Sequence, residues 1–216
     1  FSSWVSSRAI LCLKNERVDA LNSVIMETLL EGDLRLHYSI DKCMSKDAEG
    51  FSVPVHVLNR LSPGSMPPHE LRLKVGTPVM LLRNLDVAGG HCNGTKYLVE
   101  GIGDRLLQLR PLGGRTREPV FLPKLSFYSA EEEFPFRFSR YQFPVKPCFA
   151  MTAHKAQGQT LTHVGVHLVG EVFSHGQLYV MLSRVTNPDN LWVYCERRDT
   201  EGRLVVGNIV YGEVLR

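Results

Sequence analysis

The feature that most constrains the fold is an α/β pattern at both ends of the chain, interrupted between residues 33 and 143. At the start, Arg8–Leu13 is a short apolar run typical of a buried strand. Asn15 is a favourable helix N-cap, apolar residues then recur at helical spacing, and Gly32 provides a C-terminal stop. A strand followed directly by an amphipathic helix is the first half of a βαβ unit.

The same rhythm returns near the end of the chain. Apolar runs predict strands at Phe149–Thr152, Val164–Leu168 and Leu191–Tyr194. A polar loop with a short helix at 154–159 and a helix at 174–182 separate them. We therefore expect both ends to form one parallel α/β layer, made of residues 1–32 and 144–216.

The intervening residues 33–143 predict an inserted linker and a small β-barrel domain. After a possible strand at Leu34–Ile40, short β-like segments alternate with turns rich in glycine, as in an antiparallel meander or barrel. The predicted segments are Leu71–Lys74, Val79–Leu82, Tyr97–Ile102, Leu106–Leu109 and Val120–Leu122.

Composition excludes several classes of protein. The 216 residues carry 25 Lys and Arg against 22 Asp and Glu, a net charge of +3 that neither requires nor forbids a polyanionic partner. The five cysteines are widely spaced, which argues against a disulfide framework or zinc site and favours reduced thiols inside the cell. No apolar run is long enough for a membrane span, so we expect no membrane partner.

A complete ATP site is not expected within this sequence. The closest approach to a phosphate-binding loop is Gly89–Lys96, where Thr and Lys are transposed and a β-like run follows instead of a helix. No apolar strand ends in Asp-Glu to hold magnesium. The acidic run Glu131–Glu133 is interpreted as solvated charge.

Two stretches near the end combine groups suited to phosphate chemistry. In Cys148–Leu161, Thr152, His154 and Lys155 follow a strand, and a Gly lets backbone N–H groups approach a ligand. In Gly176–Val185, an apolar helix ends at Arg184. The residues alone leave two interpretations of this arginine open. It could cap the C-terminus of its own helix, or it could reach a phosphate that is being transferred.

In this order and spacing, the two stretches resemble motifs five and six of superfamily-one helicases, in particular the PIF-like DNA helicases and the helicase regions of Helitron transposons. Asn15–Asn22 resembles the motif four of that family, and V-Y-G-E-V-L at 210–215 resembles its C-terminal tail. Leu61–Leu85 and the C-N-G-T-K that follows at 92–96 resemble its inserted domain.

The resemblance implies the C-terminal motor half of an ATP-dependent helicase that moves five-prime to three-prime on single-stranded DNA and unwinds duplex. Residues 1–32 and 144–216 are then its second RecA-like domain, and the inserted part is a small barrel. Arg184 is then the catalytic arginine finger, and Gly158 and Gln159 lie by the nucleotide. Gln177 and Tyr179 are expected to orient Arg184 and to pack. The implied nucleic-acid contacts are Thr152, His154, Lys155, Asn93, Thr95 and Lys96, although relatives often carry I-N-K where this chain has Ala153-His154-Lys155.

ATP and Mg would be bound mainly by a first RecA-like domain that this sequence does not contain, so the chain alone is expected to be inactive. The implied partners are that domain, single-stranded DNA and forked duplex, with a nuclear or mitochondrial location and work in DNA repair or recombination. A non-catalytic nucleic-acid-binding module or a degenerate helicase fragment is the alternative.

Two features of the insertion stay open from the residues. Its basic residues could line a groove for a single strand, or belong to a mixed-charge surface. The aromatic residues at 134–143 could stack bases, but packing between the barrel and the α/β layer is the favoured reading. The basic residues are Lys74, Arg83, Lys96, Arg105, Arg110, Arg115 and Arg117.

Overall fold

The structure, a computed structural model, describes residues 1–44, 53–113, 118–130 and 133–215. It divides into two compact units. Unit 1 combines residues 1–25 with residues 148–216, and unit 2 is residues 26–147. The sequence placed these limits at 32 and 144. The last turn of the first long helix falls in unit 2, where Lys74 Nζ donates to the Leu30 carbonyl at 2.8 Å.

Unit 1 is built on a four-stranded parallel sheet with the order β12-β1-β13-β14. Strand β1, from the start of the chain, lies between two strands from its end, which confirms the predicted parallel layer formed by both ends. The strands are β1 (Arg8–Cys12), β12 (Ala150–Thr152), β13 (His163–Leu168) and β14 (Leu191–Cys195), and the helices are α1 (Ser2–Ser6), α2 (Asn15–Leu29) and α4 (Gln177–Leu182).

Helix α2 is held to this sheet by apolar packing and by one buried amide. Val18 packs with Cys12 and Ala150 in a buried cluster. Asn22, 3% exposed, accepts a hydrogen bond from the Ala150 N–H at 2.8 Å and donates to its carbonyl at 3.1 Å. Since β12 is an edge strand, this amide pairs backbone groups that no strand satisfies.

Unit 2 is rich in antiparallel strands, as predicted, but their pairing divides them among three sheets. A five-stranded sheet has the order β11-β5-β6-β7-β8, a three-stranded sheet β3-β10-β9, and a pair β2-β4 completes the unit. The strands are β2 (Arg35–Tyr38), β3 (Ile40–Cys43), β4 (Glu70–Leu73), β5 (Pro78–Leu81), β6 (Lys96–Ile102), β7 (Leu106–Pro111), β8 (Val120–Pro123), β9 (Leu125–Tyr128), β10 (Phe138–Gln142) and β11 (Val145–Pro147); helix α3 is Val55–Arg60.

Two apolar clusters fill unit 2. The larger lies on the five-stranded sheet and includes Leu71, Val99 and Phe143. In the second, Phe134 and Phe136 pack against Phe138 beside Leu58 of α3. The aromatic residues that begin this run therefore pack inside unit 2, and their predicted packing against the α/β layer stays a prediction.

A fully buried ion pair joins β3 to β10. Arg140 and Asp41 have no exposed side-chain surface, and Arg140 Nη2 donates to Asp41 Oδ2 at 2.6 Å. The same guanidinium also donates to the carbonyls of Leu58, Leu61 and Pro67 at 2.9–3.2 Å. With these partners, the charge and its donors are satisfied in the absence of water, which is the condition for burying an ion pair.

Three strands lie between Leu122 and Phe149, where the sequence predicted none. β9, β10 and β11 occupy 125–147, and Arg140 and Gln142 point inward on β10 while Tyr141 points outward. This inverts the usual alternation of apolar and polar residues, so periodicity did not reveal the strand. Within the acidic run, Glu133 is exposed, and Glu131 and Glu132 lie outside the described residues.

Candidate nucleotide and nucleic-acid interface

The polar loop of unit 1 begins where β12 ends. Residues Ala153–Ala156 form a single 3₁₀ turn after Thr152. Thr152 is 2% exposed, and its hydroxyl lies 3.3 Å from His154 Nε2. His154 is exposed and Lys155 is half-buried. In this conformation Thr152 supports the imidazole, and the groups that reach the surface are those of His154 and Lys155.

Gly158 follows this turn with a backbone that favours glycine. Its φ is +75°, and a Cβ placed there would meet no atom within 4 Å. Next to it, the Gln159 side chain donates to the Lys155 carbonyl at 2.9 Å, which closes the loop. An exposed glycine with open space beside it lets a ligand approach the main chain, so the loop fits a phosphate contact.

Arg184 folds back on helix α4. Its Nε donates to the Val180 carbonyl at 2.9 Å and Nη2 donates to Ser183 Oγ at 2.9 Å. This is the helix-capping geometry, in which a cation satisfies a carbonyl at the helix C-terminus. Nη1 makes no hydrogen bond to a described residue, and the side chain is half-buried, so the charge stays accessible.

The loop and the helix end are joined through their backbones. The Leu161 N–H donates to the Arg184 carbonyl at 2.9 Å, and the Thr186 N–H donates to the Leu161 carbonyl at 3.3 Å. Leu161 itself is 3% exposed. The two stretches singled out in the sequence are therefore brought together, with the Arg184 main chain fixed beside the loop.

Gln177 and Tyr179 do not have the roles expected of them. The Gln177 Oε1 accepts from the Phe173 N–H at 3.2 Å and so fixes the loop before α4. Tyr179 is 73% exposed, so it does not pack. The expectation that they orient Arg184 is wrong in this conformation, because Arg184 is oriented by Val180 and Ser183.

In unit 2, the turn before β6 is held by hydrogen bonds among its own residues. Thr95 Oγ1 accepts from the Cys92 N–H at 3.2 Å and donates to the Gly90 carbonyl at 3.1 Å. The Asn93 N–H donates to Asn84 Oδ1 at 2.7 Å, whereas the Asn93 side chain is exposed. Lys96 begins β6 and is half-buried. Of the three residues predicted to contact DNA here, Asn93 is the most accessible.

Several basic residues of the insertion already have intramolecular partners. Lys74 donates to the Leu30 carbonyl, Arg83 Nη1 donates to the Ser126 carbonyl at 3.1 Å, and Arg110 pairs with Glu100. Arg105 is exposed, while Arg115 and Arg117 lie outside the described residues. These contacts favour the mixed-charge surface over a continuous basic groove.

The described residues contain no cluster of three or more His, Cys, Asp or Glu side chains that could hold a metal ion. Gly158 and Arg184 offer main-chain and guanidinium donors, which suit a phosphate. A pocket of about 300 Å³ lies at the carboxyl ends of β13 and β14, and none of the predicted site residues lines it. No helix among the described residues combines the length and apolar character needed to cross a bilayer.

Comparison with known proteins shows which helicases this chain is similar to. Residues 56–102 match the family described as "DNA helicase Pif1, 2B domain". The human ATP-dependent DNA helicase PIF1 is 39% identical over 126 residues, covering 57% of this chain and 19% of that protein. The zebrafish (Danio rerio) protein of the same name is 31% identical over 201 residues, covering 92% of this chain and 28% of that protein.

Solved structures agree with the sequence relatives. The Pif1 helicase from Candida albicans has a TM-score of 0.67 and 26% identity, covering 89% of this chain and 46% of that one. Bacteroides Pif1 bound to ssDNA has a TM-score of 0.63 and 25% identity, covering 86% of this chain and 40% of that one. The chain spans less than a third of the length of the two curated relatives. In sequence and fold, the chain is therefore similar to part of these longer Pif1 helicases.

Proposed function

We propose that this chain is the second RecA-like motor domain, with its inserted domain, of an ATP-dependent DNA helicase that moves five-prime to three-prime on single-stranded DNA. The observation that carries the proposal is the backbone junction between Leu161 and Arg184. It places an accessible arginine beside a loop with an open glycine, and the relatives are named ATP-dependent DNA helicases. ATP with Mg, held mainly by a first RecA-like domain, supplies the free energy of movement.

Arg184 has the catalytic role in this proposal. Its main chain is fixed by the Leu161 N–H, so the side chain alone moves, exchanging the Val180 carbonyl and Ser183 hydroxyl for phosphate oxygens. An arginine supplied in this way stabilises negative charge in the transition state of phosphoryl transfer. Gly158 and Gln159 shape the adjacent loop and approach the nucleotide through their backbone.

The DNA contacts belong to the two surface groups of the same loop. Lys155 pairs with a phosphate as a point charge, and His154, held by the Thr152 hydroxyl, donates a hydrogen bond to the backbone of the strand. Asn93, Thr95 and Lys96 are proposed as a second contact, in which Asn93 meets the strand and Thr95 holds the turn. Forked duplex is the proposed substrate.

The test is Arg184→Ala in a helicase that joins this chain to a first RecA-like domain with a phosphate-binding loop. We expect ATP turnover to fall by about 10³-fold or more, with ATP binding nearly unchanged, because the residue acts on the transition state. Arg203→Ala, which removes an exposed arginine of unit 1, is the matched control. Turnover within a few-fold of the parent would contradict the assignment of Arg184.

The alternative is a binding module without motor activity, and the capped state of Arg184 is the observation that favours it. Both proposals expect the 216-residue chain alone to hydrolyse no ATP. They differ in the joined protein: the module binds single-stranded DNA but does not couple binding to turnover. DNA-stimulated ATPase activity and strand separation on a labelled fork would exclude the module.

Location and origin complete the proposal. A nuclear or mitochondrial site of action, work in DNA repair or recombination, and kinship with Helitron helicase regions rest on the resemblance of the motifs. Imaging of the tagged full-length protein tests the location directly, and a signal confined to other compartments would contradict it.

A further inference from the structure

One face of the unit 1 sheet carries an exposed aromatic row on β14. Strand pairing aligns Gly165 with Trp192 and His167 with Tyr194, so these residues lie on the same face of β13 and β14. Trp192 is 57% exposed and Tyr194 is 53% exposed. Single exposed aromatic residues are common on protein surfaces, whereas neighbouring ones that form a contiguous patch mark sites of interaction.

Each aromatic ring is stacked on an imidazole of the neighbouring strand. The rings of His163 and Trp192 are 5.8 Å apart and nearly parallel, at 6°. The rings of His167 and Tyr194 are 5.0 Å apart at 20°. Between the two stacks, Gly165 has no side chain to separate them. The stacking contacts with His163 and His167 therefore hold the orientations of the two rings.

Two arginines flank these stacks. Arg8 Nη2 lies 3.3 Å from His163 Nε2, and its guanidinium covers the Trp4 ring at 4.8 Å. Both tryptophans of the chain are thus linked through Arg8 and His163. Trp4 is itself 46% exposed.

The second arginine is Arg17, whose Nη2 lies 3.3 Å from His167 Nε2. Arg17 is exposed. Burial, and then the charge of Arg17, hold the pKa of His167 below its usual value. A carboxylate reaches the row at one end, where the Tyr194 hydroxyl donates to Glu196 at 3.4 Å. The two guanidinium groups therefore leave the row positively charged beside its rings.

We propose that this aromatic row, formed by Trp192 and Tyr194 with Arg8 and Arg17, is a binding surface for single-stranded nucleic acid. Exposed aromatic faces stack bases of any sequence, and adjacent arginines pair with phosphates. Trp192 and Tyr194 are two residues apart on a strand, a spacing of about 6.6 Å, twice the 3.4 Å rise between stacked bases of a duplex strand. Bases that occupy both rings must therefore be unstacked from one another, which favours a single strand.

This inference rests on the proposed function, since it assigns an additional path for the strand that the motor would follow. It is separate from the Lys155 loop, because none of the residues of the row belongs to the two motif-like stretches. It can therefore fail while DNA binding by the loop stands.

The two tryptophans make the test direct. In Trp4→Phe, Trp192 is the single tryptophan of the 216-residue chain, and its fluorescence reports stacking. We expect a 20-nucleotide oligothymidylate to quench this fluorescence with the same Kd as the anisotropy of a labelled oligothymidylate. Binding seen by anisotropy with no quenching would overturn the proposed surface and leave DNA binding elsewhere intact. No binding by either signal would contradict both this surface and the proposed DNA binding.

Substitution measures the contribution of the row. Trp192→Ala should weaken binding at least about fivefold, the low end of the effect of losing one base stack, and Trp192→Phe should retain most of the affinity. Phe121→Ala, which removes an aromatic residue of 60% exposure in unit 2, is the control and should change little. Equal affinities for Trp192→Ala and the parent chain would overturn the proposal.

Salt dependence tests the arginines separately. If Arg17 pairs with one phosphate, Arg17→Gln should reduce the slope of log K against log salt by about 0.7. An unchanged slope would overturn the role of Arg17. Sedimentation tests whether a second copy of the chain binds the row instead. A dimer that Trp192→Ala abolishes, with no quenching by oligothymidylate, would assign the row to that second copy and overturn the proposal.

Discussion

Replacing Arg140 with alanine removes the partner of a buried carboxylate and the donor to three backbone carbonyls at once. Asp41 loses the guanidinium contacts at 2.6–3.2 Å and keeps the Ser39 hydroxyl at 2.6 Å. The carbonyls of Leu58, Leu61 and Pro67 lose their donor. These groups connect α3, β3 and β10, so the change weakens contacts among three segments of unit 2.

The expected magnitude follows from the burial of both charges. Removing one partner of a buried ion pair costs about 3–5 kcal/mol, because the other charge remains desolvated. A value of about 4 kcal/mol corresponds to a fall in Tm of roughly 15 °C for a unit of this size, at about 4 °C per kcal/mol. Removing the exposed Arg105 in the same way should change the free energy of unfolding by less than about 0.5 kcal/mol.

Urea denaturation followed by circular dichroism gives the free energy of unfolding, and hydrogen exchange of the β3 and β10 amides locates the loss in unit 2. A double variant, Arg140→Met with Asp41→Leu, should be more stable than Arg140→Met alone, since no unpaired charge is left behind. The reasoning is refuted if Arg140→Ala lowers stability by less than about 1 kcal/mol, or if the double variant loses the sum of both single changes.

Three further predictions concern other buried groups. Asn22→Ala should cost about 2–3 kcal/mol by urea denaturation, because both backbone groups of Ala150 lose their partner; a loss below about 0.5 kcal/mol would contradict this. Burial, and then the charge of Lys124, lowers the pKa of His37 from its ordinary 6.5, so the unfolded chain binds a proton more readily below that pH. The free energy of unfolding should therefore fall as the pH falls from 6.5 through the folded pKa, and His37→Gln should flatten that fall; an unchanged slope would count against it. Burial raises the pKa of the Cys12 thiol to about 11, so at pH 8 iodoacetamide should label the half-buried Cys43 before Cys12 in the native chain, as read by mass spectrometry. Equal labelling would be the contrary result.

The α/β part of the fold was predictable because its signals are local. Ala150–Thr152 and His163–Leu168 are strands whose buried residues form short apolar runs, and Asn15 begins a helix after a strand. Pairing of the chain ends into one sheet followed from the same pattern, since parallel strands need long connections.

The three strands at 125–147 were not predictable from periodicity. β10 buries Arg140 and Gln142 and exposes Tyr141, because its polar side chains satisfy backbone carbonyls from distant segments. Such partners are unknown until the tertiary structure is known. Buried polar residues on a strand can therefore be recognised only when the groups that hydrogen-bond to them are known.

The sequence predicted which residues belong to the candidate site better than it predicted the conformations of their side chains. The motif-like stretches identified Gly158 and Arg184, and the structure brings their loop and helix together. Arg184 caps its own helix because its side chain reaches the Val180 carbonyl. Tyr179 is exposed because of how α4 packs in the folded chain. Neither conformation can be inferred from the residue type. The aromatic row had a sequence signal that was missed: His163 and His167 are four residues apart on one strand, and Trp192 and Tyr194 two apart on the next, each pair at even spacing.

Strand β1 also determines the order in which the chain can fold during synthesis. Ile10 pairs with Ala150 and Gly165, so the central strand of the unit 1 sheet has no neighbour until about 140 more residues have been translated. At about 5–20 residues per second, that delay is on the order of ten seconds. All of unit 2 is made within this interval. Unit 2 can therefore complete its own core on the ribosome before β1 has a strand to pair with.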